Sequence, residues 1–169
     1  MKLHIGGKET KFGWKILNIQ EGRGVDFVGD ISDLSQFGDK SIKQIYASHV
    51  LEHVRQSKVI DTLKGIHRVL ADDGTFYVSV PDLDVLCRVM LDEGASLDTK
   101  VHAMRMMFGG QANDNDFHYF GWNEQFMTHF LGLAGFNGAT RVARFGIFKD
   151  TSEYAPYGSP ISLNMIATK

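Results

Sequence analysis

The sequence predicts an α/β fold of three layers, in which helices pack against a mostly parallel β-sheet. Residues 45–84 show the pattern strand, helix, turn and strand, and strand patterns precede this unit. Helical patterns follow it, and two further strand patterns close the chain. Two strands joined by a helix form a right-handed unit of a parallel sheet. The closing pair predicts an antiparallel edge.

Three short strands are predicted before this central unit, over residues 2–5, 14–19 and 25–28. The first strand ends at Gly6-Gly7, where the backbone can turn sharply and approach a ligand closely. The connection to the second strand is too short for the usual helical crossover of roughly a dozen residues. The first helix is therefore predicted to be absent or reduced to a single turn.

The central unit begins with a strand over residues 42–47 and continues into a helix. Apolar residues recur there at helical spacing: Val59, Ile60, Leu63, Ile66, Val69 and Leu70. We expect Asp72-Asp73-Gly74 to stop this helix, with Gly74 at positive φ. Residues 75–80 are β-branched and aromatic, as a strand requires, and Pro81 ends them. Ser48-His49 and Pro81-Asp82 then follow two strands, at the edge where parallel sheets bind ligands.

Three helices and two strands are predicted after the central unit. Asp82 and Asn123 are placed to cap the first and third of these helices. The apolar stripes of the three helices are Leu83, Leu86, Val89 and Met90, then Leu97, Val101, Met104 and Phe108, then Phe126, Phe130 and Leu133. The closing strands are predicted over residues 139–148 and 161–168.

Composition favours one globular domain over residues 1–169. The chain has 43% hydrophobic and 22% charged residues, ordinary values for a globular protein, and a net charge of −2. No basic field attracts nucleic acid or anionic membranes, so we expect no nucleic-acid partner. The sequence shows no membrane span and no signal peptide. A single cysteine, Cys87, excludes an internal disulfide. We therefore expect a cytoplasmic protein.

The sequence resembles small class I S-adenosylmethionine-dependent methyltransferases of the type 11 kind. The resemblance is carried by YASHVLEH and IHRVLADDGTFYVSVPD, within which the matching residues are Leu51-Glu52-His53, Arg68-Val69-Leu70, Gly74 and Val80-Pro81. It extends to residues 3–7, 25–30 and 133–136. It implies a Rossmann-like sandwich whose sheet has one antiparallel strand. A compact subgroup with Gly109-Gly110-Gln111 and a nearby histidine, here His118, is the most similar; its members accompany sugar and polysaccharide enzymes.

This resemblance implies S-adenosylmethionine as cofactor, S-adenosylhomocysteine as product, and a small-molecule or sugar-containing acceptor. The residues implied to bind the cofactor are Gly6, Gly7, Asn18, Asp30, Ile31 and Ser48. The two glycines pass under its amino-acid end, and Asp30 with Ile31 meets the adenine. Ser48 flanks the methionine portion.

Asn18 stands where the family has an acid for the ribose hydroxyls. Charged hydrogen bonds are about twice as strong as neutral ones, so Asn18 and the shortened glycine turn weaken donor binding. An alternative reading is therefore a methyltransferase-like binding domain with an eroded donor site and no catalysis.

Methyl transfer from a sulfonium needs positioning and a base rather than a covalent nucleophile. His49 is the first candidate base, because it directly follows a strand; a role in packing or capping is the plainer alternative. His118 is the second, since it follows an acidic loop, residues 113–116, that can fold over the site. That loop also reads as an ordinary solvated segment. A homodimer that completes the pocket is a further expectation.

His49 and His53 have the i, i+4 spacing of metal ligands, with Glu52 beside them. The order is not HExxH, and no third ligand is close in sequence, although His67 lies in the same helical region. We therefore assign no metal site from the sequence. A metal-dependent hydrolase built on His49, His53 and a distant ligand is the third functional alternative.

Overall fold

Seven strands form one sheet in the computed structural model, which describes residues 1–169. The strands are β1 (Lys2–Ile5), β2 (Trp14–Asn18), β3 (Phe27–Val28), β4 (Ile42–Ser48), β5 (Leu70–Pro81), β6 (Gly138–Arg141) and β7 (Ser162–Thr168). Their order across the sheet is β3-β2-β1-β4-β5-β7-β6. The pairs from β3 to β5 are parallel, and β7 pairs antiparallel with both β5 and β6. The predicted α/β fold with one antiparallel strand is confirmed. The antiparallel strand, β7, is not at the edge of the sheet but lies between β5 and the edge strand β6.

The helices are α1 (Val59–Val69), α2 (Leu83–Leu91), α3 (Leu97–Phe108) and α4 (Glu124–Leu133), with 3₁₀ turns at Leu51–His53, Gln56–Lys58 and Thr151–Glu153. The parallel strands β4 and β5 are joined through α1, as the periodicity predicts. No helix lies between β1 and β2, which confirms the missing first helix. None of the helices combines the length and the apolar character needed to cross a bilayer.

The main core lies between one face of the sheet and the helices α1 and α4. Alternate strand residues point to it, among them Leu3, Ile45 and Val78, and they meet Leu63 of α1 and Leu131 of α4. The opposite face carries the other half of the alternation. The helices α2 and α3 pack on each other around Leu86, Ala103 and Ile161.

Side-chain caps begin three of the helices. The Oδ1 atom of Asp82 accepts from the backbone N of Asp84 at 3.1 Å and of Val85 at 3.4 Å. The Oδ1 atom of Asn123 accepts from the backbone N of Phe126 at 2.9 Å. Both caps are as predicted. A third cap, at the start of α3, was not predicted: Oγ of Ser96 accepts from the backbone N of Thr99 at 3.1 Å.

The end of α1 differs from the prediction. The helix ends at Val69, and β5 begins at the next residue, so residues 72–74 do not act as a helix stop. The register moves from Ile42 opposite Leu70 to Gln44 opposite Thr75, which places the intervening residues in an irregularity of β5. Gly74 does not adopt positive φ. A Cβ there would lie 2.7 Å from the carbonyl O of Ala71, so close backbone approach is what requires the glycine.

The strand predicted over residues 139–148 is also shorter than expected, because β6 ends at Arg141. The chain then crosses the second face of the sheet. Phe148 packs there against His4, with ring centroids 4.0 Å apart, and against Tyr46 at 4.9 Å. Trp14 completes this aromatic cluster. An irregular segment therefore covers the part of this face where the cluster lies.

Candidate functional site

A cleft of about 700 Å³ lies at the carboxyl ends of the first four strands. Its walls include Gly6 after β1, residues 18–20 at the end of β2, residues 29–32 after β3 and His49 after β4. Neighbouring parallel strands deliver their following loops to one edge of the sheet, which is why these distant residues meet. The edge is the one that the sequence pattern indicated.

Gly6 makes the first turn of the cleft. Its φ is +73°, and its backbone N donates to the carbonyl O of Leu17 at 2.8 Å. A Cβ at this position would lie 2.5 Å from Cγ2 of Val50. Both the left-handed backbone and the close contact require glycine here.

Gly7 has a structural task next to this turn and does not line the cleft. A Cβ on Gly7 would lie 2.4 Å from Nδ1 of His4, so the missing side chain makes room for that ring. The carbonyl O of Gly7 accepts from Nδ2 of Asn18 at 3.1 Å. The glycine pair is thereby tied to the end of β2.

Asn18 lines the cleft at the position where the family resemblance implies an acid. Its Nδ2 is engaged by Gly7, and its Oδ1 accepts from the backbone N of Gln20 at 3.0 Å. The amide therefore holds the turns after β1 and β2 together. One lone pair of Oδ1 remains for a ligand.

Asp30 and Ile31 line the same cleft after β3. The Oδ1 atom of Asp30 accepts from the backbone N of Ser32 at 2.7 Å, which fixes the carboxylate in an Asx turn. The second carboxylate oxygen makes no hydrogen bond within the protein and is free to accept from a ligand. Ile31 is buried and provides an apolar wall beside it.

His49 lines the cleft with a constrained backbone and a fixed ring. Its φ is +54°, which is uncommon for a residue with a side chain and is concentrated at functional sites. The backbone N donates to the carbonyl O of Ser79 at 2.8 Å. Nε2 lies 2.9 Å from Oγ of Ser162. Because that hydroxyl donates to the carbonyl O of Thr151, Nε2 must carry a proton, and it donates. Nδ1 lies 3.3 Å from Oε1 of Glu52.

Ser48 does not line the cleft. It follows Tyr46 by two residues in β4 and therefore points to the same face of the sheet, away from the main core. Its Oγ is buried without a hydrogen-bond partner. On that face the hydroxyl of Tyr46 donates to Asp150 at 2.9 Å, and burial raises the pKa of Tyr46 above its usual range.

His118 also lies outside the cleft lining, behind His53. The two rings are nearly perpendicular, with centroids 4.7 Å apart. Nδ1 of His118 donates to the carbonyl O of Met106 at 2.8 Å. Burial lowers the pKa of His118, and the charge of Glu52 opposes this shift.

The mouth of the cleft carries charged groups that the sequence analysis did not single out. Lys8, Arg55 and Lys58 line it, and the acidic loop at residues 113–116 lies on it together with Tyr119. The guanidinium of Arg55 stands 4.8 Å from the centroid of the Tyr119 ring. The position of Lys8, directly after the glycine pair, is the one sequence signal that could have indicated it. Arg55 becomes recognisable only once Tyr119 is brought beside it.

Comparisons with known proteins agree with this architecture. The sequence profile described as a methyltransferase domain matches residues 14–78. No curated protein matches the sequence significantly.

Solved structures that match the whole chain are distant in sequence. An S-adenosylmethionine-dependent methyltransferase from Archaeoglobus fulgidus is 15% identical, with a TM-score of 0.61, over 99% of this chain and 85% of that one. The Burkholderia thailandensis 1,6-didemethyltoxoflavin-N1-methyltransferase, with 1,6-didemethyltoxoflavin and S-adenosylhomocysteine bound, is 20% identical, with a TM-score of 0.61, over 99% of this chain and 70% of that one. A methyltransferase complexed with the Haloferax volcanii Trm112 activator is 15% identical, with a TM-score of 0.61, over 99% and 80%.

The fold follows from the strand order, the single antiparallel strand and these similarities. The chain has the fold of the class I S-adenosylmethionine-dependent methyltransferases, and its residues 14–78 match the methyltransferase domain family.

Proposed function

We propose that the protein transfers a methyl group from S-adenosylmethionine to a small-molecule or sugar-containing acceptor. The observation that carries this proposal is the cleft at the carboxyl ends of β1 to β4. This cleft is lined by Gly6 in the left-handed conformation, by Asp30 and by His49, whose backbone φ is also positive. One carboxylate oxygen of Asp30 is hydrogen-bonded to the backbone, and the other is free.

The residues of the cleft fit the donor. The volume of about 700 Å³ lies within the roughly 300–1,000 Å³ usual for ligand pockets. Gly6 offers bare backbone for the amino-acid end. The free oxygen of Asp30 can accept from the exocyclic amine of adenine, and Ile31 can pack against the ring. Asn18 keeps one lone pair for a ribose hydroxyl.

When bound, S-adenosylmethionine supplies a methyl group already activated on a sulfonium, so the protein has to align the acceptor and handle its proton. His49 is the proposed base. The Nε2–H group donates a hydrogen bond to Ser162, so Nδ1 is the nitrogen that can take a proton. The carboxylate of Glu52, 3.3 Å away, would stabilise the imidazolium that results.

The acceptor is proposed to be small and polar. One structural neighbour was solved with the small molecule 1,6-didemethyltoxoflavin bound, which supports this class of acceptor. The charged lining, which includes Lys8, Arg55, Lys58 and the acidic loop at residues 113–116, supports a polar acceptor. His118 lies behind His53, so its proposed influence on the acceptor is indirect and does not involve contact.

Calorimetric titration with S-adenosylhomocysteine tests this proposal. The wild-type protein should bind it one to one, and Asp30→Ala should weaken binding by more than tenfold because the adenine loses its acceptor. Asp61→Ala, on an exposed position of α1, is the matched control and should leave the affinity unchanged. Equal affinity in Asp30→Ala and wild type would show that the adenine does not bind here.

The non-catalytic alternative is favoured by one observation, the engagement of both polar atoms of Asn18 within the protein. If the donor site is eroded, the wild-type protein will bind no S-adenosylhomocysteine at about 1 mM, where a useful site of this kind is saturated. That result would overturn the proposed methyl transfer.

A further inference from the structure

Three side chains that offer metal ligands meet behind the cleft. Glu52 and His53 end the turn after β4, and His118 arrives from the loop that follows α3. One ligand atom of each lies within 4.8 Å of those of the other two. The sequence alone does not predict this group, because His118 is remote from the Leu-Glu-His motif and is brought to it only by the fold.

The carboxylate of Glu52 lacks the partners that a buried charge requires. The residue is 1% exposed, and neither carboxylate oxygen makes a hydrogen bond within the protein. Nδ1 of His49 lies 3.3 Å from Oε1 without making a hydrogen bond. A buried carboxylate is costly unless it is paired, hydrogen-bonded or bound to a metal. A bound cation would supply the partner that this carboxylate lacks.

The two histidines are oriented as metal-binding histidines are. Nδ1 of His53 lies 3.0 Å from the carbonyl O of Phe117, and Nδ1 of His118 lies 2.8 Å from that of Met106. Since a carbonyl only accepts, both Nδ1 atoms carry the proton. Each Nε2 is left with a lone pair. A second hydrogen bond of this kind fixes the tautomer and the orientation of a histidine that binds a metal.

We propose that Glu52, His53 and His118 bind a divalent transition-metal ion, with Zn²⁺ as its simplest representative. Two imidazoles and one carboxylate are a ligand set that zinc uses in catalytic sites, with a fourth position open. Ligands at about 2.1 Å from one ion stand roughly 3.4 Å apart in a tetrahedral site, so side-chain rotations that bring the ligand atoms closer by up to about 1.4 Å suffice. His49 is not counted as a ligand, because the group of ligand atoms that lie within 4.8 Å of one another comprises only Glu52, His53 and His118.

The open position of such an ion points to a role in catalysis, and this part rests on the proposed function. His53 lines the cleft, so the ion would stand at its wall. A hydroxyl of the acceptor can occupy the fourth position, where the ion acidifies it. The O–H proton passes to His49 Nδ1, the oxygen forms the new bond to the methyl carbon, and the carbon–sulfur bond of the donor breaks to leave a neutral thioether. Acceptors with a hydroxyl nucleophile are the class that such a site favours.

Calorimetry with Zn²⁺ on the full chain, freed of metal with EDTA, tests the site directly. The wild-type protein should bind one equivalent, and Co²⁺ should give the visible absorption of a four-coordinate site. His118→Ala and Glu52→Gln should each weaken Zn²⁺ binding by at least tenfold. His129→Ala, on the exposed side of α4, is the matched control and should bind as wild type does.

Circular dichroism separates loss of metal from loss of fold. Glutamine is close in size to glutamate, so Glu52→Gln should fold and can still be tested if His118→Ala does not. A Zn²⁺ affinity unchanged from wild type in both His118→Ala and Glu52→Gln would overturn the site, as would the absence of Zn²⁺ binding to wild type. Titration of the metal-free protein with S-adenosylhomocysteine is independent. Donor binding without metal binding would refute only this inference, and metal binding without donor binding would refute only the methyl transfer.

Discussion

Gly6 sets the shape of the cleft at the scale of one residue. Its left-handed backbone turns the chain at the end of β1, and its missing side chain leaves room for Val50 on the loop after β4. The first and fourth strands therefore open onto the same space. Glycine is required here for two separate reasons, and this is why a substitution at Gly6 is a sharp probe.

Gly6→Ala should lower the free energy of unfolding by about 1–3 kcal/mol, because alanine is strained at positive φ and its Cβ meets Val50. It should also weaken S-adenosylhomocysteine binding. Gly65→Ala is the matched control, since Gly65 lies within α1 with nothing near its Cβ position. There alanine should raise the free energy of unfolding by roughly 0.5–1 kcal/mol. Urea unfolding of both variants measures the difference; equal effects would contradict this account of the turn.

His4 makes stability depend on pH. Burial lowers its pKa from the usual 6.5 to about 4, against the opposing charge of Asp150. Between these two values the unfolded chain binds a proton that the folded chain does not. The free energy of unfolding should therefore fall as the pH is lowered from 6.5 to 4, with His4 contributing about 3 kcal/mol.

His4→Asn should remove this contribution, because asparagine does not titrate. His129→Asn, at an exposed position, should retain it. Urea unfolding at a series of pH values between 4 and 7 measures both slopes. The same slope in His4→Asn and in wild type would assign the dependence to other groups.

At the scale of single elements, Asp82 connects α2 to the sheet. One carboxylate oxygen caps the helix, and the other accepts from the guanidinium of Arg141 in β6 at 2.7 Å. Arg141 also lies 3.3 Å from Glu124 at the start of α4. Arg141 is thus occupied within the protein rather than placed to bind an anionic substrate.

Asp82→Ala should cost about 2–3 kcal/mol of the free energy of unfolding, since it removes a cap worth roughly 1 kcal/mol and leaves Arg141 without its buried partner. Asp82→Asn should cost less, because the amide oxygen retains the cap. Urea denaturation distinguishes the two. A loss in Asp82→Asn as large as that in Asp82→Ala would show that the ion pair alone carries the effect.

Local signals predicted the elements, and long-range contacts decided where they end. The apolar spacing of α1 and the caps at Asp82 and Asn123 can be read from a few neighbouring residues. The strand predicted to reach Phe148 stops at Arg141, and Phe148 packs instead against His4 and Tyr46 on the second face of the sheet. That contact joins residues far apart in sequence, so no local pattern reports it.

The same limit applies to the candidate site. The glycine turn, Asn18, Asp30 and His49 follow predicted strands, and a parallel sheet necessarily brings such residues to one edge. Ser48 lies outside the cleft lining, because one step along a strand moves a side chain to the other face. The group of Glu52, His53 and His118 depends on the path of a loop, which the sequence pattern does not specify.

At the scale of the whole molecule, one face of the sheet is covered by helices and the other is partly covered by an irregular segment. No helix lies between β1 and β2 or between β2 and β3. The aromatic cluster of Trp14, Tyr46 and Phe148 closes part of the face that such helices would cover. The stability of this small fold should therefore depend strongly on that cluster.

Phe148→Ala should lower the free energy of unfolding by roughly 3–5 kcal/mol, the usual cost of deleting a buried phenylalanine side chain. Phe12→Ala should change it by less than about 0.5 kcal/mol, because the side chain of Phe12 is fully exposed. Chemical denaturation of both variants gives the comparison. A small loss in Phe148→Ala would mean that the segment after β6 covers the sheet without stabilising it.

The central claim is that the edge formed by β1 to β4 holds the methyl donor. A crystal structure of the protein with S-adenosylhomocysteine tests it most directly. We expect the amino-acid end of the ligand over Gly6, the adenine between Asp30 and Ile31, and the sulfur facing His49. Ligand density at another edge of the sheet, or an empty cleft in crystals grown with saturating ligand, would contradict it.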